Sequence, residues 1–255
     1  MGHDAATLAG LLSGAGFIAP EEETAELLKC AAGDPQLLDS LIARRLTGEP
    51  LAWITGSISF CNLEIRVDPG VYVPRWHSEA LARGAVVRLP PKGTAVDLCT
   101  GSGAIARTLM SRRPAAWVVA SDIEERAVAC AKANGVEAYL GDLFAPFPPT
   151  LEGRVDVVVG VVPYVPTPEL PLLQRDTFAF ESPLAYDGGP DGSEILRRVL
   201  ADAKRFLCPG GALLLELGGG QDRALRSDLA RLGYTDVSVL HDEEGDVRGI
   251  EATLG

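Results

Sequence analysis

Hydrophobic residues recur along this 255-residue chain in two periods, and the change of period divides it. Over the first fifty residues the spacing is helical. Ala5 to Leu12 is a short apolar stretch ended by Ser13-Gly14-Ala15-Gly16. Pro20 and the three glutamates after it open a second helix, because proline and acids suit a first turn; those glutamates read as a solvated helix start. A third helix runs from about Pro35 to Leu46, with Leu37, Leu38, Leu41, Ile42 and Leu46 on one face, and Gly48-Glu49-Pro50 breaks it. From Ser57 to Val67 the period becomes two. Ile58, Phe60, Leu63, Ile65 and Val67 alternate around Cys61-Asn62, which predicts a β-hairpin. Asp68-Pro69-Gly70 then turns the chain, and Val71-Tyr72-Val73-Pro74 leads into a helix over about 78–88.

Beyond Thr94 strands and helices alternate. The pattern predicts strands at 94–99, 116–122, 137–142, 155–161, 212–217, 235–241 and 248–254, with helices at about 104–113, 124–134, 193–206 and 220–232. The last two strands are joined by Asp242-Glu243-Glu244-Gly245-Asp246, which suits an antiparallel hairpin. The predicted fold is therefore α/β, with a seven-stranded, mostly parallel sheet.

Candidate chemistry concentrates after the first of these strands. Residues 95–106 read AVDLCTGSGAIA, and Asp122 closes the next apolar run. Gly101 and Gly103 carry no Cβ, so a ligand can lie against the backbone of Thr100-Gly101-Ser102-Gly103. The helix that follows presents free N–H donors and a partial positive charge. A carboxylate at the tip of the neighbouring strand can accept from both ribose hydroxyls of a nucleoside. The letters also fit the dinucleotide pattern G-x-G-x-x-G/A. Asp97, four residues before the first glycine, suits a cofactor with a cationic amino acid end, which favours S-adenosyl-L-methionine over NAD. A sheet ending in a hairpin also fits the Rossmann-like methyltransferase architecture better than repeated βαβ units would.

Composition narrows the classes. At 47% hydrophobic residues the chain can fill one large α/β core and a smaller unit. No run approaches the roughly 20 apolar residues of a membrane span, and the first residues lack a basic leader, so a cytoplasmic protein is expected. Five scattered cysteines without a C-x-x-C pair point to a reducing compartment and to no metal site. A net charge of -12 with basic residues dispersed argues against a nucleic-acid partner. The sequence sets no oligomeric state.

Several segments together resemble one family. GEPLAWITGSISFCNLEIRVDPGVYVPR (48–75), DLCTGSGAIA (97–106), ESPLAYDGGPDGSEILRRVL (181–200) and PGGALLLELG (209–218) are similar, in order, to the release-factor glutamine methyltransferases, the HemK/PrmC family. The resemblance implies a helical N-terminal domain (1–56), a β-hairpin linker (57–74) and a methyltransferase domain (75–255). It implies methyl transfer to a glutamine side-chain amide in peptide-chain release factors. Cys99 to Gly103 would line the methionine end of the cofactor and Asp122 would hold the ribose. Asp142 and Leu143 would flank the adenine.

The chain departs from that family at one motif. Where the family has Asn-Pro-Pro-Tyr, this chain reads Val161-Val162-Pro163-Tyr164. The asparagine oxygen accepts from the NH₂ being methylated and orients its lone pair, and valine offers no side-chain acceptor. The linker end reads Pro74-Arg75-Trp76-His77-Ser78-Glu79 in place of Pro-Arg-Pro-x-Thr-Glu. Trp76 and His77 are thereby expected to border the acceptor pocket. His77 is a candidate general base, Tyr164 a candidate acceptor contact, and Glu181 a support for the acceptor loop. His3 and His241 carry no such signal. Intact cofactor residues beside an apolar Val161 predict a methyltransferase acting on a small-molecule acceptor. The alternatives are the family's protein glutamine amide and a cofactor-binding protein without turnover.

Overall fold

The computed structural model describes residues 4–173, 179–242 and 245–255. His3 and two residues of the predicted terminal hairpin turn, Glu243 and Glu244, lie outside them.

The helical period of the first fifty residues becomes α1 (Ala5–Gly14), α2 (Pro20–Ala31) and α3 (Pro35–Leu46). Asp34 caps α3 by accepting from the amides of Gln36 and Leu37 at 2.9 and 3.1 Å. The leucine faces of the three helices meet in a core of their own that includes Leu8, Leu12, Leu27, Leu38 and Leu41. A short helix that the pattern does not predict, α4 (Leu51–Thr55), follows Pro50. It is too short to show a period, and Ile54 packs with the helical core while Trp53 packs on the linker. The Trp53 indole donates to the Val71 carbonyl at 2.9 Å. Strands β1 (Ser57–Phe60) and β2 (Leu63–Arg66) form the hairpin, with Cys61 and Asn62 at positive φ in its turn.

Helix α5 (Glu79–Arg88) enters through a single 3-10 turn, Trp76–Ser78. Then come β3 (Thr94–Leu98), α6 (Ala104–Arg112), β4 (Trp117–Asp122), α7 (Glu125–Ala133), β5 (Glu137–Leu140) and β6 (Val155–Gly160). Helix Glu194–Phe206, β7 (Leu207–Glu216), helix Gln221–Leu232, β8 (Tyr234–His241) and β9 (Val247–Leu254) complete the chain. The seven strands pair in the order β5-β4-β3-β6-β7-β9-β8, with β9 antiparallel to both neighbours.

Period-two alternation builds two cores. Val96, Leu98, Val158, Leu213 and Leu215 face the helices Glu194–Phe206 and Gln221–Leu232. Ala95, Val157, Val159, Ala212 and Leu214 face α5, α6 and α7. Asp97 and Glu216 share the parity of this second set, so both acids point to the α5–α6 face.

In the helical unit Arg45 is 7% exposed. Its guanidinium donates to Glu23 at 2.6 and 2.9 Å and to the Glu49 carbonyl at 2.9 Å, and lies 3.8 Å over the Phe17 ring. Truncation strands a half-buried carboxylate. Arg45→Ala should therefore cost about 3 kcal/mol in a urea titration followed by circular dichroism. Arg44→Ala, at a side chain 39% exposed in its pair with Glu49, should cost under about 1 kcal/mol. Equal small losses would show that the Arg45 network is no stronger than a surface pair.

Candidate active site

The strand order reverses around β3, with β4 and β5 on one side and β6 and β7 on the other. The carboxyl ends of β3 and β6 thus frame a crevice of the kind in which doubly wound sheets bind ligands.

Asp97, second from the end of β3, is 1% exposed. Its Oδ2 accepts from the Thr100 hydroxyl at 2.6 Å and from the Ala106 amide at 3.1 Å. Its Oδ1 has no partner among the described residues. Burial raises the carboxyl pKa to about 7, against those two hydrogen bonds and with a further push from Asp122. A bare carboxylate oxygen at such a place is a receptor for a cationic donor.

The loop after β3 must bend back for Thr100 and Ala106 to reach one oxygen. Cys99, Gly101 and Gly103 all take positive φ, at 52°, 56° and 83°. A Cβ on Gly103 would stand 2.9 Å from Val136 Cγ2 and 3.2 Å from Ala131 Cβ, so α6 begins here only without a side chain. Cys99 bears the left-handed strain without that freedom. Burial pushes its thiol well above the ordinary range, which argues against a nucleophilic thiolate.

Asp122 ends β4. Its Oδ2 accepts from the Gly101 amide and its Oδ1 from the Glu124 amide, both at 2.9 Å. It therefore clamps the glycine loop to the adjacent strand, and each oxygen keeps a further lone pair. Asp122, Ile123 and Pro163 line one narrow cleft, and Asp97, Thr100, Ser102 and Ser78 line another beside it.

The structure does not bring Asp142 and Leu143 into these clefts. Leu143, at φ 48°, is 5% exposed and packs in the core against Val96 and Phe144, with its carbonyl held by the Ser121 hydroxyl at 2.7 Å. Asp142 is exposed and pairs with Arg198 at 2.6 Å. Ile123, 59% exposed beside Asp122, lines the cleft, as do Leu184 and Val161.

On the other side of Val161 lies a cavity of about 1120 Å³ bounded by α4, the hairpin and the loops after β6. Val161 and Tyr72 line this cavity and both narrow clefts, so they form the partition between them. Val162 also lines the cavity but is 1% exposed and packs in the core, so Val161 presents most of the apolar wall there. Tyr164 lines the cavity and donates its hydroxyl to Glu216 Oε1 at 3.0 Å. His77 lines it too, with Nε2 3.4 Å from the same oxygen. Trp76 does not border the cavity. It is 67% exposed and meets the His77 ring edge-on, because the 3-10 turn directs successive side chains apart. Glu181, 3% exposed, accepts from the Val73 amide at 2.8 Å, from Arg75 at 2.5 Å and from the Tyr186 hydroxyl, and so fastens the linker to the loop at 181–187.

Tyr72 and Glu216 are absent from the residues expected on sequence grounds. Glu216 carried a visible signal, an acid inside the buried strand ALLLEL. Among the described residues no group of three or more His, Cys, Asp or Glu is placed to hold a metal ion.

Comparison with known proteins agrees with this geometry. The profile of the methyltransferase small domain matches residues 63–145. A release factor glutamine methyltransferase of Geobacter sulfurreducens is 35% identical over 221 residues, covering 84% of this chain and 77% of its own. One from Moorella thermoacetica is 40% identical over 80% of this chain and 75% of its own. A methyltransferase structure from Pyrococcus furiosus superposes with a TM-score of 0.54 at 20% identity over 84% of this chain and 97% of its own, a likeness of fold. The chain therefore belongs to the release factor glutamine methyltransferase family, HemK/PrmC, and is an S-adenosylmethionine-dependent methyltransferase.

Proposed function

We propose that this protein methylates the side-chain amide of a glutamine in a peptide-chain release factor. The observation that carries the reading is the partition at Val161 and Tyr72, which separates the narrow clefts beside Asp97 and Asp122 from a cavity of about 1120 Å³. That volume exceeds the ~300–1,000 Å³ of ordinary small-ligand pockets and suits the tip of a protein loop. The named activity of the relatives at 35 and 40% identity supports the same acceptor. It outweighs the small-metabolite acceptor expected from the Val161-Val162 pair.

S-adenosylmethionine, when bound, supplies an electrophilic methyl group on a sulfonium. The residues of this chain do the rest by holding and aligning. Asp97 Oδ1 receives the ammonium of the amino acid end, the assignment its missing partner supports. The backbone from Cys99 to Gly103 cradles the same end. Asp122 accepts from the ribose hydroxyls with its remaining lone pairs, and Ile123 covers the base. Backbone carbonyls near Gly160 and Val161, beside the cavity, are available to accept from an NH₂ group.

Labelled cofactor incubated with purified release factor tests the acceptor. One methyl per factor, located on a glutamine by peptide mass spectrometry, is expected. Label entering a metabolite pool while the factor stays unlabelled would overturn the reading.

The donor side gives two predictions. Asp122→Ala should weaken S-adenosylmethionine by roughly 1.5–3 kcal/mol, about ten- to a hundred-fold in Kd by calorimetry. Unchanged affinity in a folded variant would put the ribose elsewhere.

Asp97 makes the affinity depend on pH. Its folded pKa, about 7, lies above the ordinary carboxylate value of 3.8. The stability it contributes is full below about pH 4 and is lost as the pH rises to about 7, where the unpartnered anion is formed. The cationic ligand requires that anion. Affinity should therefore be highest above pH 7 and fall about tenfold per unit below it. Asp97→Asn should abolish the pH dependence along with tight binding, and should raise the melting temperature of the ligand-free protein at pH 8. An affinity flat from pH 5.5 to 7.5 would place the ammonium away from Asp97.

A further inference from the structure

We infer that His77, held by Glu216, supplies the hydrogen-bond acceptor for the substrate amide that residue 161 lacks. The inference rests on the amide reading above.

Register brings the groups together. Asp97 pairs with Val159 across β3 and β6, and Gly160 pairs with Leu215 across β6 and β7. The ladder ends at that pair, and Val161 and Glu216 each follow it by one residue, at the ends of neighbouring strands. Both have the parity that points to the α5–α6 face. A polar side chain at 161 would work over that face, and what stands there is the cluster gathered by Glu216.

Glu216 is 1% exposed. Its Oε2 accepts from the Ser78 hydroxyl at 2.5 Å and its Oε1 from the Tyr164 hydroxyl at 3.0 Å, with His77 Nε2 at 3.4 Å. The turn that carries the two linker residues straddles the partition. Ser78 lines the donor cleft and His77 lines the acceptor cavity, and Val161 lines both. A buried carboxylate beside one imidazole nitrogen fixes the tautomer with the proton on that nitrogen. With Nε2 placed 3.4 Å from Glu216 Oε1, the proton is assigned to Nε2 and the lone pair to Nδ1. That lone pair accepts from the amide NH₂ and turns the nitrogen toward the methyl group. As the N–C bond forms and the C–S bond breaks, the bonding pair leaves with sulfur to give a thioether. One amide proton passes to Nδ1 and from there to water, and Glu216 offsets the charge of the imidazolium in the interval.

The charged and titratable groups of the cluster around Glu216, Tyr164 and Tyr72 come from four elements. They are Glu216 on β7, Tyr164 after β6, Tyr72 and Arg75 on the linker, and Arg248 on β9. Burial holds both tyrosines above their ordinary range, and the arginines remain charged.

The test uses the full chain, release factor and saturating cofactor, which keeps Asp97 ionised. His77→Ala should lower kcat about a hundredfold, with the KM for release factor and the Kd for cofactor within about twofold of wild type. The double variant His77→Ala/Val161→Asn should regain at least tenfold of that loss. Nitrogen-15 NMR of the cofactor-free protein gives a readout apart from activity. His77 should carry its proton on Nε2, and Glu216→Gln should shift the tautomer balance. A proton on Nδ1 in the wild type would overturn the inference. So would wild-type turnover by His77→Ala, or an inactive double variant that binds cofactor normally. Failure of wild type to methylate release factor would instead overturn the amide reading itself.

Discussion

A single carboxylate with one oxygen satisfied and one bare organises the nucleotide end of this protein. Asp97 Oδ2 is reached by a side chain three residues on and an amide nine residues on. Both can arrive only if the loop between them folds back at once, which demands the left-handed backbone at Cys99, Gly101 and Gly103. That fold starts α6 directly over the strand end, and Gly103 lets α6 sit against Ala131 and Val136. Asp122 then ties the same loop to β4 through the Gly101 amide. The loop is thus shaped before a ligand arrives, which spares binding the cost of ordering it. The bare Oδ1 is the counterpart of that order. It destabilises the empty fold near neutral pH, and this is the usual trade of a binding site against stability.

The sheet distributes the two halves of the reaction by parity. Odd-numbered residues on β3 and β6 and even-numbered ones on β7 face α5 and α6, so the row across the strand ends includes Asp97, Val161 and Glu216. Asp97 addresses the donor cleft and Glu216 gathers the linker residues that reach the acceptor cavity. Val161 and Tyr72 stand between them with apolar surface toward both sides. An apolar partition excludes water where donor and acceptor meet, and it strengthens each polar contact made beside it.

Much of this was legible in the sequence. The switch from helical to alternating period located the helices, the hairpin and seven sheet strands, because each of those segments buries one consistent face. The glycine loop and its two acids were legible because left-handed turns and strand-end carboxylates leave local marks. What stayed hidden depends on side-chain direction or on contacts distant in sequence. Leu143 looks like a cleft residue beside Asp142, yet a positive φ carries it into the core, and Asp142 finds Arg198 from a helix 56 residues on. Trp76 and His77 are neighbours in a 3-10 turn, and only one faces the cavity. Glu216 could be seen as an acid in an apolar strand, but its partners Ser78 and Tyr164 lie 138 and 52 residues away. Helix α4 has one turn and therefore no period to read.

The valine at 161 changes where catalytic geometry is stored. An orienting side chain on β6 would be fixed by the sheet alone. An acceptor on the 3-10 turn is fixed by the sheet through Glu216 and by the linker through Arg75, whose partner Glu181 also holds the Val73 amide. The linker leads back through Val71 to the indole of Trp53 in α4, and so to the helical unit. A partner seated between hairpin and helices presses on the same chain segment that carries His77. Alignment of the nucleophile then depends on how the partner sits, and an error of about 1 Å in such alignment is enough to cost a hundredfold in rate. On the proposed amide reading, discrimination between a fitting protein loop and a free amide falls on the linker as much as on the strand end.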